Sequence, residues 1–373
     1  MCASVDLITL AIPFFFLFMG VELVVGRLKG RRIYRGPDVI ANLALGVLQT
    51  IFAVVAGGLL TFMYLSAYEH RLLTLPDGEV WVWIVAFVGV DFCYYWFHRS
   101  SHRVMLAWAT HAPHHSSEDY NLAVALRQGP IQPLCSRFFY LPLALVGVPY
   151  GMFAVMVSVN TLYQFWIHTE LIDRLGPLEY LFNTPSHHRV HHGCNGKYLD
   201  KNHAGILILW DRLFGSFVAE ADTPVYGTVK PAETWNPLTA SWLPFADIAM
   251  KWSASQTLAD KVRSIFAPPE WLPPGVVAGA AVDGPRAKWD ARPPSPISRY
   301  VGSMFVVVLL SSVAYLVVAP QLGSGASAVV AAWLTWSYGS LGALLDRSPL
   351  GVYSEIARFV VGLPVVVAAV LLL

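Results

Sequence analysis

Eleven of the twelve histidines in this 373-residue chain fall between positions 98 and 203, and they fall in groups. His98 and His102 stand four apart in HRSSH, while His111, His114 and His115 form HAPHH. His187, His188, His191 and His192 form HHRVHH, with His168 between the second and third groups. Residues three or four apart on a helix share a face, so each group can aim two imidazoles at one point. In HHRVHH two such pairs, His187 with His191 and His188 with His192, load neighbouring faces and could feed two metals. Imidazole suits zinc, copper, iron and nickel, so ligand type leaves the metal open. Number says more: about ten histidines exceed the four ligands of one tetrahedral zinc and fit two ions of about five each, with positions left for oxygen.

Other polar residues near these groups carry weaker signals. Asp91 lies near the end of an apolar run, seven residues before His98 and close to the same helical face. A carboxylate there is expensive unless partnered. It is expected to accept the outer N–H of a metal-bound histidine and fix its tautomer; the alternative is a water-exposed acid at a helix end. Glu118, Asp119 and Asn121, directly after HAPHH, could bind polar headgroups, hold histidines or form a solvated loop. The aromatic run Trp81, Trp83, Tyr94, Tyr95, Trp96 and Phe97 reads first as interfacial anchoring and second as a substrate wall.

The elements that must position these residues are membrane helices. The chain is 55% hydrophobic and only 13% charged, more apolar than a soluble domain needs. Runs of spanning length cover 7–25, 43–65, 81–97, 300–319, 326–344 and 357–373. The first is expected to be a retained anchor, because no basic leader precedes it. Arg27, Lys29, Arg31, Arg32 and Arg35 follow it, and such a cluster stays on the cytoplasmic side. Two further crossings then bring His98 to the cytoplasm. The apolar stretch 138–167 is long for one span and short for two, and Pro149-Tyr150-Gly151 interrupts it. If the histidines on either side share a site, this stretch is a helical hairpin bent there.

The expected fold is thus an all-α integral-membrane helical bundle with a histidine-rich di-metal site. Its parts are a catalytic membrane domain over 1–220, a cytoplasmic Pro-rich linker over 221–297 and C-terminal transmembrane helices over 298–373. A net charge of +1 with no basic tract excludes nucleic acid as a partner. Cys2, Cys93, Cys135 and Cys194 include no CxxC pair, which argues for ordinary reduced residues. A membrane metal-transport protein would need ligands along a path through the bilayer, whereas these sit at span ends and beyond.

With DFCYYWFHRSSH, HHSSEDYNLAVALRQG, NTPSHHRVHHG and LDKNHAGILILWDRLFGSF in view, positions 20–220 resemble the sterol desaturase/fatty acid hydroxylase superfamily. The SSEDYN and NTPSHHRVHHG wording resembles its glyceryl-ether-cleaving branch. The resemblance implies two irons, O₂ as oxidant, a lipid substrate in the bilayer, and electrons from tetrahydrobiopterin or an electron-donor protein. It implies His98, His102, His111, His114, His115, His168, His188, His191 and His192 as ligands, with His187 added. The product would be a fatty aldehyde and glycerol; a sterol or fatty-acyl hydroxylase or desaturase is the alternative. The membrane would be the endoplasmic reticulum in a eukaryote and the inner membrane in a bacterium. Arg103 stands where the branch usually has an acid, and His203, where tyrosine is common, is left out of the ligand set.

Overall fold

The computed structural model describes residues 7–277, 282 and 284–371, which leaves Cys2 outside. Among the described residues the protein is helical, with three isolated bridges and no strand. Its helices are α1 (Leu7–Leu28), α2 (Gly36–Glu69), α3 (Val80–Arg103), α4 (Met105–His115), α5 (Leu122–Ala125), α6 (Gln132–Val146), α7 (Tyr150–Trp166) and α8 (Pro185–His192). After these come α9 (Leu209–Leu213), α10 (Pro237–Ala254), α11 (Leu258–Phe266), α12 (Ser295–Val318), α13 (Ser324–Leu345), α14 (Leu350–Ala357) and α15 (Leu363–Leu371). Six stretches are long and apolar enough to cross a membrane: Leu10–Leu28, Gly36–Glu69, Val80–Arg103, Ser295–Gln321, Ser324–Leu345 and Leu350–Ala369. They match the six apolar runs of the sequence.

Two apolar cores hold the bundle. One joins α1, α2, α12 and α13 through Phe15, Leu48, Phe305, Leu334 and Tyr338. The other joins α2, α3, α6 and α7 through Tyr64, Val82, Ala86, Leu143 and Phe153, with the Tyr64 and Phe153 rings stacked 4.2 Å apart.

The stretch around Pro149 does reverse. α6 and α7, 15 and 17 residues long, rise about 22 and 25 Å at 1.5 Å per residue, less than the roughly 30 Å of a hydrocarbon core. Both open ends lie at the histidines: Gln132 at the start of α6 bonds His111, and His168 follows α7 beside His114. The turn packs at the far end of α2, where the Tyr64 hydroxyl donates to the Val148 carbonyl. The glycine that makes it is Gly147, not Gly151, which lies in the first turn of α7. Gly147 caps α6 at φ +111°, and a Cβ on it would sit 2.1 Å from the Leu73 carbonyl oxygen. Gly147→Ala therefore combines left-handed strain with a backbone clash, and a loss of about 3 kcal/mol or more is expected in detergent unfolding.

The segment expected to be a linker is folded onto the bundle. It forms α10 and α11, which pack on α4, and Arg286 and Lys288 reach back to the acids that follow α4.

Candidate metal centre

α3 ends where Val104 turns extended, so His98 and His102 occupy its last two turns on one face. α4 begins one residue later and carries His111, His114 and His115. His111 and His115, four apart, share a face, and His114 points about 100° round from His115. α8 repeats the device, with His188 and His192 on one side and His191 on the next. Two sets result: His98, His102, His111, His115 and His191; and His114, His168, His188 and His192. Within each set one nitrogen per ring lies within 4.8 Å of the others, and every ring is buried.

Backbone carbonyls orient four of these nine rings. The Nδ1–H groups donate to carbonyl oxygens: His98 to His203 at 2.8 Å, His114 to Arg127 at 2.7 Å, His168 to Gln164 at 2.7 Å and His191 to Lys201 at 3.0 Å. His111 Nδ1 donates to Gln132 Oε1 at 2.8 Å. With the proton held outside, each Nε2 turns its lone pair inward, as metal ligands require.

Inside, lone pairs meet. His98 and His115 Nε2 lie 3.0 and 3.1 Å from His111 Nε2, and His168 Nε2 lies 3.0 Å from His188 Nε2. Nε2 of His102, His191 and His192 is buried with no hydrogen-bond partner among the described residues. Unshared nitrogens this close repel unless a cation lies between them, so the donor set fits two imidazole-bound metal ions. Burial drives the protein's rings toward neutrality, holding His111 and His168 down at about 4 and His114, His115, His188, His191 and His192 well below the ordinary histidine range. Neutral imidazole is the ligand form.

A pH dependence follows. The unfolded rings titrate near 6.5 and bind protons that the folded rings refuse, so this stability is complete above about 6.5 and lost as pH falls toward about 4. Metal-stripped protein should melt at progressively lower temperature across that interval, measured by scanning fluorimetry in detergent.

Two of the sequence candidates lie apart from the two sets. His187 joins neither set: its Nε2 faces the Glu179 carboxylate at 3.9 Å and its ring packs on Phe217. α8 still feeds both sets, but through His191 on one side and His188 with His192 on the other, because His187 falls on the outward face. Asp91 is fully buried and touches no histidine. It accepts from Asn160 Nδ2 at 2.7 Å, Ile206 N at 2.8 Å, Leu207 N at 3.0 Å and Trp210 Nε1 at 2.9 Å. The face it shares with His98 meets the 203–210 loop before any ring. Asp91 thus pins the loop whose His203 carbonyl orients His98.

Asp211, not singled out in the sequence, pins the same loop by accepting from His203 N and Ala204 N, both at 2.8 Å. Gln132 and the Arg127 carbonyl were also invisible beforehand. Their approach to α4 depends on Gly129, where a Cβ would lie 1.8 Å from the Thr110 carbonyl oxygen. His203 lies beside the five-histidine set, its ring 5.0 Å from that of His102. Arg103 pairs with Asp200 and Glu270, and Asp200 Oδ1 stands 3.8 Å from His102 Nδ1, so an acid does flank that ring. Glu118, Asp119 and Asn121 are buried rather than solvated and hold no histidine. Asp119 pairs with Arg35 and Lys288, both under 3 Å, while Glu118 accepts from Trp289 N. The aromatic run divides: Trp81 and Trp96 face outward, whereas Tyr95 and Phe97 are buried. Cys93, Cys135 and Cys194 are free thiols.

Fold and site together define a membrane oxidoreductase of the histidine-box kind. The chain belongs to the fatty acid hydroxylase family, whose model matches residues 83–216, the segment from α3 to the end of the 203–216 loop. Over 305 residues it is 43% identical to alkylglycerol monooxygenase of Homo sapiens, covering 81% of this chain and 68% of that protein. The alkylglycerol monooxygenases of Xenopus tropicalis and Danio rerio are 37% and 38% identical, each with 80% of its length covered and with 95% and 94% of this chain. No solved structure matches it. Family and histidine sets point to non-haem iron acting on lipid.

Proposed function

We propose that this protein is a di-iron monooxygenase that hydroxylates an ether lipid on the carbon next to the ether oxygen, splitting alkylglycerol into fatty aldehyde and glycerol. The observation that carries the reading is the pair of adjoining, buried histidine sets with inward lone pairs, in a chain similar over most of its length to alkylglycerol monooxygenases. His98, His102, His111, His115 and His191 would hold one iron, and His114, His168, His188 and His192 the other. When bound, the irons supply reduction of O₂ and transfer of one oxygen atom to a C–H bond.

The protein's own part is orientation and exclusion. Carbonyls of His203, Arg127, Gln164 and Lys201 hold the imidazole protons outward, and burial of all nine rings keeps bulk water from the centre. Hydroxylation beside an ether oxygen gives a hemiacetal, which breaks to aldehyde and alcohol without a protein nucleophile. Two electrons per turnover come from a reduced pterin such as tetrahydrobiopterin or from an electron-donor protein. The site faces the cytoplasm, a reading supported by Arg31 and Arg35 of the basic loop, which pair with Glu170 and Asp119 beside the histidines.

Purified protein in lipid, given alkylglycerol, O₂ and either a reduced pterin or a ferredoxin-type donor, should release fatty aldehyde and glycerol. Hydroxylation or desaturation of an acyl chain with the ether intact would overturn the ether-cleaving assignment.

A further inference from the structure

α11 is built inside out for a helix in water. Leu258, Val262 and Phe266, spaced four apart, form one stripe and are 74%, 47% and 59% exposed. Its inward face carries Asp260 and Ser264, both buried. Asp260 accepts from the Thr257 hydroxyl at 2.7 Å and pairs with Arg263, while Ser264 contacts Ser255. α10 shows the same inversion: Lys251 is buried, as is Ser255 directly after the helix, with Lys251 donating to the Pro269 carbonyl at 2.6 Å and pairing with Asp247. Trp242, Met250 and Trp252 of α10 are exposed. A soluble helix turns its apolar stripe inward.

The ends of this unit fix where it lies. At its start the Asn236 side chain donates to the Gly339 carbonyl, and Gly342 is in close contact with Asn236 and Pro237, both in the last turns of the α13 span. At its finish the Ala267 carbonyl accepts from Met105 N, two residues beyond the end of the α3 span. The pair of helices therefore crosses the face of the bundle at the level where two spans end, which is the level of the bilayer interface.

We infer that α10 and α11 lie in the membrane–water interface, with Leu258, Val262, Phe266 and the exposed tryptophans sunk among the lipids. Exposed Arg263, and Lys261 set 5.7 Å from the Trp252 ring, give the mixed basic and aromatic rim that suits the headgroup boundary. Both helices pack on α4, which carries His111, His114 and His115, so their depth sets the depth of the histidines. Resting on the ether-cleaving reading, this depth has a chemical use. The carbon beside the glycerol ether oxygen is the first of its chain and lies at the boundary between headgroups and hydrocarbon, where these helices would hold the site.

The test uses the full-length protein in phosphatidylcholine vesicles, with Val262→Cys carrying a polarity-sensitive fluorophore and wild type labelled in parallel for its own cysteines. Lipids brominated close to the headgroup should quench this label more than lipids brominated at the chain end, and aqueous iodide should quench it weakly. Strong iodide quenching without bromolipid quenching would place the stripe in water. Quenching by neither would mean that a second copy or another protein covers it. Either result overturns the inference, whatever the enzyme does. In the activity arm, the double variant Leu258→Glu, Val262→Glu should raise KM for vesicle-borne alkylglycerol about tenfold and leave a short, water-dispersed alkylglycerol unaffected. Equal loss on both substrates would count against the interfacial role, and no ether cleavage by wild type would sink only the proposed function.

Discussion

His188→Ala should take bound metal from about two ions per chain to about one and cut turnover by more than the roughly 100-fold that marks loss of an outer partner. His188 belongs to the four-histidine set, and its Nε2 meets His168 Nε2 at 3.0 Å. Three rings then remain for that ion, while the five-histidine set is untouched. His187→Ala is the control next door on α8. Facing Glu179 and Phe217, it should keep both ions and most of its turnover. Metal analysis of the reconstituted variants checks both, and equal metal loss in the two would show that α8 had simply unravelled.

Asp91→Asn should have the second-largest effect, and it should appear in stability as much as in chemistry. The carboxylate receives four N–H groups and is fully buried. An amide offers one oxygen and turns an N–H₂ toward donors that need an acceptor, a cost of about 3 kcal/mol. The 203–210 loop should loosen, His98 should lose its fixed tautomer, and activity should fall about 10- to 100-fold. A variant with wild-type melting temperature and turnover would show that the loop holds itself.

Where the sequence was informative, the reason was spacing. Rings three or four apart must share a helical face, so the three groups already implied converging imidazoles, and all nine rings that converge stand at positions the resemblance implied. The six spans were equally visible, because composition over about twenty residues decides them. The third group was legible only in part: spacing alone made His187 and His191 equivalent to His188 and His192, and only the rotation of α8 within the bundle separates them. Asp91 was legible as unusual, but its partners were not, since they lie 69 to 119 residues away. Gln132, Asp211 and the Arg127 carbonyl carry no local pattern. A backbone carbonyl has no sequence signature at all, and carbonyls aim four of the nine rings. The packing of the 221–297 segment was not legible, because α11 buries Asp260 and Ser264 and exposes Leu258, Val262 and Phe266, so no inward apolar stripe marks it as part of the bundle.

α4 and α8 each supply rings to both sets, His111 and His115 against His114, and His191 against His188 and His192. Neither helix can tilt to suit one cation without moving ligands of the other. The two sites therefore share free energy: occupancy of one orders the two rods that the other must find already ordered, and the favour is returned in equal measure. The single ion that His188→Ala leaves in the five-histidine set would then be held less tightly than the same ion in the filled centre, because α8 is no longer ordered from its other side.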